Sequence, residues 1–202
     1  MTRATETNLT TSGLSVTHDG DNSVLKAHAA LEHACHRPLP AHFHLHKRIP
    51  TGSGMGGASS DAATALRALK SLYNLDLDLA DIAEQVGADV PYFLHGGRMR
   101  AEGRGEKLTP LTMQPAVFVI AWPGIELKTA DVYAAWDKTN GEGPNQLRQA
   151  AEHVEPRLHA FATKLGEGWQ MTGSGSAFFK AGATEPNLDC WTALAHAVSP
   201  WA

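Results

Sequence analysis

The stretch RIPTGSGMGGASSDAATALRALKSLY, from Arg48 to Tyr73, sets four glycines (Gly52, Gly54, Gly56 and Gly57) directly ahead of a run with helical periodicity. Ala62, Ala65, Leu66, Leu69 and either Leu72 or Tyr73 recur on one face, which predicts an amphipathic helix. Ser59 or Ser60 is expected to cap it, with Asp61 favourable in its first turn. Just upstream, AHFHLHKRIP alternates Phe43, Leu45 and Ile49 with polar residues, as a strand buried on one face does. A strand, a glycine loop and a helix therefore follow one another. Bare N–H groups ahead of a helix N-terminus form a site for an anion.

The same glycines allow blander readings. A structural turn would use one or two of them for positive φ, fewer than are present. Gly52, Gly54 and Gly57 match the dinucleotide fingerprint GxGxxG literally. However, the first strand of that fold is buried on both faces and nearly all apolar, whereas HFHLHKRI alternates. No lysine precedes the Ser59–Ser60 pair, which excludes a Walker A loop.

Outward from this centre, NSVLKAHAALEHAC (Asn22–Cys35) carries Val24, Ala27, Leu31 and Ala34 at helical spacing and is stopped by Pro38 and Pro40. The first ~20 residues are rich in Thr, Ser and Asn; their GLSVTHDG segment reads equally as an edge strand or as disordered. LDLADIAEQVG predicts a short helix closed by Gly87, and ADVPYFL, RMRAEG and EKLTPL read as strands and turns. AVFVIAWPG reads as a buried strand. Polar DKTNGEGPNQ separates it from a helical stretch over Arg148–Leu165 and a second glycine cluster, MTGSGSAFF. A domain boundary is expected near Ala121, giving segments 1–121 and 122–202.

The chain has 202 residues, enough for one large or two small domains. With 17 Lys+Arg against 21 Asp+Glu and a formal net charge of −4, no basic stripe points to nucleic acid. Cys35 and Cys190 stand far apart, outside any CxxC spacing, so neither a disulfide framework nor a thiolate zinc site is expected, and a reducing cytoplasm fits best. No run approaches the ~20 apolar residues that span a bilayer, so no membrane partner is expected. His42, His44 and His46 share one strand face at a spacing open to zinc. With Phe43 and Leu45 claiming the buried face, the imidazoles are expected to face water.

PTGSGMGGASSDAA resembles the glycine-rich second motif of the GHMP small-molecule kinases. More narrowly, KRIPTGSGMGGASSDAA, GADVPYFL, EGRGEKLTPL, PGIELKTADVY and TGSGSAFF, in this order, resemble the 4-diphosphocytidyl-2-C-methyl-D-erythritol kinases. The resemblance runs from about Asn22 to Phe179. It implies transfer of a phosphoryl group from ATP, with Mg²⁺ as companion, to the 2-hydroxyl of a cytidine-diphosphate methylerythritol in non-mevalonate isoprenoid synthesis.

The resemblance also implies site roles. Pro50, Thr51, Gly52, Ser53, Gly54, Met55, Gly56, Gly57, Ala58, Ser59 and Ser60 would cradle the ATP phosphates, and a Cβ at several of them would collide with nucleotide. Asn22 and Lys47 fall where the family meets adenosine; by themselves they read as a helix cap and a solvated strand residue. Asp89, in GADVP, would accept the proton of the substrate alcohol; by itself it reads as a cap or turn after Gly87. Tyr133 would stack on cytosine with Thr129 nearby, and Gly173 and Ser174 belong to a third motif that folds back towards the phosphate loop.

The implied fold is α+β. A ribosomal-protein-S5-domain-2-like amino-terminal domain, incomplete here, precedes a ferredoxin-like GHMP carboxy-terminal domain, with ATP between them and a monomer or weak homodimer as the assembly. The family's Ala-Lys-x-Asn strand and its Gly-Tyr-His segment have no counterpart in the 202 residues. That gap leads to the expectation that coding sequence upstream of Met1 supplies them. It also keeps open a truncated, non-catalytic relative that at most binds nucleotide.

Overall fold

The computed structural model describes residues 1–15 and 21–200. Two compact units are present: one holds residues 1–48 and 56–113 with the tail from Val198, the other residues 49–55 and 114–197.

The first unit begins with β1 (Thr2–Arg3) and β2 (Asn8–Gly13), followed by α1 (Ser23–Cys35) and β3 (Ala41–Lys47). β2 and β3 are parallel neighbours joined through α1, and β1 lies antiparallel on the other side of β3. Of GLSVTHDG, read equally as edge strand or disordered, only Gly13 falls in β2, and Val16 to Gly20 lie outside the described residues. α1 matches its expectation. Asn22 caps it, the side-chain Oδ1 accepting from the Val24 N–H at 2.9 Å.

The helix after the glycines, α2 (Gly57–Tyr73), starts earlier than either serine. Gly56, in the left-handed conformation at φ 67°, is its N-cap, and Ser59 and Ser60 lie in its first turn. The physical reason is that glycine reaches this conformation without Cβ strain, so the chain turns straight into the helix. Ala62, Ala65, Leu66 and Leu69 are buried with Leu31, Leu39 and Phe43 in one core. Each such large side chain contributes about 1.5–3 kcal/mol.

α3 (Ala80–Val86) follows, closed by Gly87 as expected. ADVPYFL is not a strand but α4 (Val90–His95), with Pro91 in its first turn. Proline is tolerated there because the first helical N–H groups have no intrahelical acceptor, a feature that alternation of apolar residues does not reveal. RMRAEG and EKLTPL form a hairpin of β4 (Met99–Glu102) and β5 (Lys107–Pro110).

The second unit is built on β6 (Val117–Trp122), α5 (Thr129–Thr139), α6 (Arg148–Val154), α7 (Arg157–Leu165), β7 (Gln170–Met171), β8 (Phe178–Ala181) and β9 (Trp191–His196). Its sheet is antiparallel in the order β7-β8-β6-β9. The division of the chain therefore falls between Met113 and Gln114, ahead of Ala121, because β6 is an interior strand of this sheet. Val119, Ala121, Met171 and Phe178 pack with Val132, Ala135, Ala150, Ala151 and Leu158 of the helices. The single helical stretch expected over Arg148–Leu165 is two helices, since Pro156 cannot continue the hydrogen-bond ladder. Among the described residues no helix is long and apolar enough to cross a membrane.

Lys47 overturns its reading as a solvated residue. It is 6% exposed, and its Nζ donates to Asp61 Oδ2 at 2.5 Å. It shares strand parity with Ala41, Phe43 and Leu45, so the period-2 rule already put it on the core face. Asp61 is correspondingly past the first turn of α2 and serves as Lys47's partner, not as a dipole charge. Replacing Asp61 by Ala leaves a buried ammonium unpaired and should cost about 3 kcal/mol or more. Lys47→Met should cost clearly less, because the Asp61 side chain is 24% exposed and keeps access to water. Urea midpoints followed by circular dichroism compare the two; equal losses would show that the buried ammonium is not the costly partner.

Candidate functional site

The glycine loop is held differently on its two sides. In the second unit, Pro50–Met55 is laced to the second glycine cluster by main-chain oxygens. The Thr172 hydroxyl donates to Ser53 O at 2.6 Å, and the Ala177 N–H donates to the same oxygen at 3.0 Å. The Leu127 N–H reaches Gly52 O at 3.1 Å. Ser53 is buried, its hydroxyl donating to Pro50 O at 2.6 Å. The buried Ser176 hydroxyl takes the Trp122 indole N–H at 2.9 Å and itself donates to Ile125 O.

This lacing explains two of the glycines. Gly52 and Gly54 both have positive φ. A Cβ on Gly54 would come within 2.4 Å of Thr172 O, and one on Gly52 within 2.7 Å of Leu127 N. At both positions the space a Cβ would need is occupied by the protein's own backbone.

The third motif does fold back on the loop. A Cβ on Gly173 would meet Gly54 O at 2.9 Å. Asn145 steadies the motif, its Nδ2 donating to Met171 O at 2.9 Å and to Gly173 O at 2.8 Å. Neither Asn145 nor Ser53 declared this positioning role in the sequence, where Asn145 belongs only to the polar stretch DKTNGEGPNQ. The Ser174 and Thr129 hydroxyls meet at 3.0 Å at the start of α5. Tyr133 follows one turn later, 52% exposed, on the face shared with Thr129. The second unit thus gathers Pro50–Met55, Gly173, Ser174, Thr129 and Tyr133.

In the first unit lie Gly56–Ser60, Asn22, Lys47 and Asp89. α2 has no side-chain cap and no acidic residue in its first turn. A helix of 17 residues therefore presents its first N–H groups and the positive end of its dipole uncompensated. Gly56 is required here too, since a Cβ would meet the Phe93 ring at 2.7 Å. Asn22 and Lys47 are buried and engaged as described.

Asp89 occupies the N-cap position of α4, yet its side chain makes no capping hydrogen bond. It is exposed. Gly105, in the β4–β5 turn, passes close by: a Cβ there would stand 3.9 Å from Asp89 Oδ1 and 3.0 Å from Ala88 O.

The chain is similar to known proteins in both sequence and fold. The model of the GHMP kinases N terminal domain matches residues 22–97. The 4-diphosphocytidyl-2-C-methyl-D-erythritol kinase of Azoarcus sp. (strain BH72) is 36% identical over 188 residues, covering 85% of this chain and 67% of that protein. The enzyme of the same name from Chromohalobacter salexigens is 43% identical over 138 residues, 67% of this chain and 46% of that protein. A crystal structure of 4-(cytidine 5'-diphospho)-2C-methyl-D-erythritol kinase superposes with a TM-score of 0.70 at 32% identity, over 87% of this chain and 73% of that one. The chain spans about half to two thirds of the length of the curated relatives it matches.

Proposed function

The chain belongs to the 4-diphosphocytidyl-2-C-methyl-D-erythritol kinase family of GHMP kinases, and from that membership we propose that it transfers the γ-phosphoryl group of ATP to the 2-hydroxyl of 4-diphosphocytidyl-2-C-methyl-D-erythritol. The observation that carries the reading is the uncapped, acid-free N-terminus of α2 at the end of a glycine loop. Its N–H groups and dipole favour a polyphosphate with no side chain to displace.

In this reading Gly56–Ser60 bind the ATP phosphates directly, while Pro50–Met55 hold the loop in shape. Asn22 and Lys47 support the adenosine end from buried positions. Mg²⁺ arriving with ATP is a hard cation held mainly by phosphate oxygens and water, with the Ser59 and Ser60 hydroxyls as protein oxygens of the right type. When bound, it neutralises charge on the transferring group. Asp89 accepts the proton of the attacking alcohol, for which an uncapped carboxylate is suited. Tyr133 offers a face for the cytosine, and the Thr129–Ser174 hydroxyl pair offers polar contacts beside it.

Calorimetry with Mg-ATP tests the phosphate site through Ala58→Glu. A carboxylate in the first turn suits the helix dipole, so thermal stability should hold or rise. The same charge should repel phosphate and weaken ATP binding about tenfold or more. Unchanged affinity would remove the helix N-terminus from the site.

A chain that binds Mg-ATP but forms no phosphorylated product would overturn the transfer reading.

A further inference from the structure

The sheet face of β2 and β3 away from the core carries a feature unrelated to phosphate chemistry. His42, His44 and His46 alternate there, and the parallel register sets Thr10 opposite His44 and Ser12 opposite His46. His42 Nε2 lies 3.1 Å and His44 Nδ1 3.0 Å from the one Thr10 hydroxyl oxygen. His44 Nε2 lies 3.1 Å and His46 Nδ1 2.9 Å from the Ser12 hydroxyl oxygen. His44 and His46 are exposed and His42 is half-buried. Each hydroxyl thus marks a point on which two imidazole nitrogens converge, and His44 takes part in both.

We propose that this ladder binds one divalent transition-metal ion of the Cu²⁺ or Ni²⁺ class through a pair of adjacent imidazoles, His42–His44 or His44–His46. Same-face positions two apart on a strand lie about 6.6 Å apart, so small side-chain rotations bring two nitrogens to the ~2 Å bonds a metal requires. Among the described residues no three His, Cys, Asp or Glu side chains close around one point. The site is therefore a two-nitrogen edge completed by hydroxyl or water oxygens. A tetragonal N,O set suits Cu²⁺ and Ni²⁺ better than Zn²⁺, which takes three or four protein ligands, and the general affinity order places Cu²⁺ highest. A neutral imidazole has one lone pair, so His44 serves only one pair at a time. That fixes a stoichiometry of one and makes His44 the residue both alternatives need.

The test is calorimetric titration of the whole chain with Cu²⁺ alone, without nucleotide, above the ordinary imidazole titration range. His44→Gln should lower affinity by at least about tenfold, because neither pair survives. His42→Gln or His46→Gln should each lower it only about twofold, since one of two equivalent pairs remains. Melting curves check that the exposed substitutions leave the fold intact. Equal, graded losses across the three variants would mean an unorganised histidine surface, and an unchanged His44→Gln titration would place the copper elsewhere; either result overturns the proposal. ATP binding plays no part in the measurement, so its outcome is independent of the kinase reading.

Discussion

Asp89→Asn is expected to lower phosphorylation of 4-diphosphocytidyl-2-C-methyl-D-erythritol by about 10²-fold or more while ATP affinity stays within about twofold. Asparagine keeps the size and the N-cap position at α4 but cannot accept a proton. The wild-type carboxylate makes no capping bond, so the substitution removes no cap from α4. A structural role would appear in the melting temperature, and a proton-accepting role in kcat with little change in melting. Product mass spectrometry and single-turnover rates decide. Near-normal turnover in the variant would return Asp89 to an ordinary turn position after Gly87.

The second large effect is expected at Gly54. Its φ of 72° is strained for any other residue, and a Cβ would stand 2.4 Å from Thr172 O and 2.7 Å from Gly175 N. Backbone at that distance cannot swing aside as a side chain can. Gly143 is the control: its φ is 88°, and a Cβ there meets nothing within 4 Å. Gly143→Ala should therefore cost only the left-handed backbone term, about 1 kcal/mol. Gly54→Ala should cost on the order of 4 kcal/mol, because strain and collision add. Four of the five tryptophans, Trp122, Trp136, Trp169 and Trp191, lie in the second unit, so tryptophan fluorescence in urea reports mainly its unfolding. Equal midpoint shifts in the two variants would mean that the loop yields and the lacing to Thr172–Ala177 is not tight.

What could be read along the chain was whatever a few neighbouring residues decide. Alternation over Ala41–Lys47, helical spacing over Asn22–Cys35 and Ala62–Leu69, the Asn22 cap and the Gly87 stop all hold in the structure, because each rests on backbone period or on a bond spanning two to four residues. The family was legible too, from ordered motifs that the comparisons bear out. Even the burial of Lys47 is implied by strand parity, against the preference of its charge for water.

The tertiary structure decided what depends on partners distant in sequence. Gly52 and Gly54 face the protein's own backbone because Thr172 and Ala177, more than a hundred residues on, close over Ser53 O. Asn145 shapes the third motif only because folding brings Met171 O and Gly173 O to its amide. The start of α2 at Gly57 and the helical state of Val90–His95 followed from φ values and proline placement that a hydrophobic pattern does not carry. Periodicity reports which face is buried; it has no term for the atom waiting there, and at Gly54 that atom sets the residue.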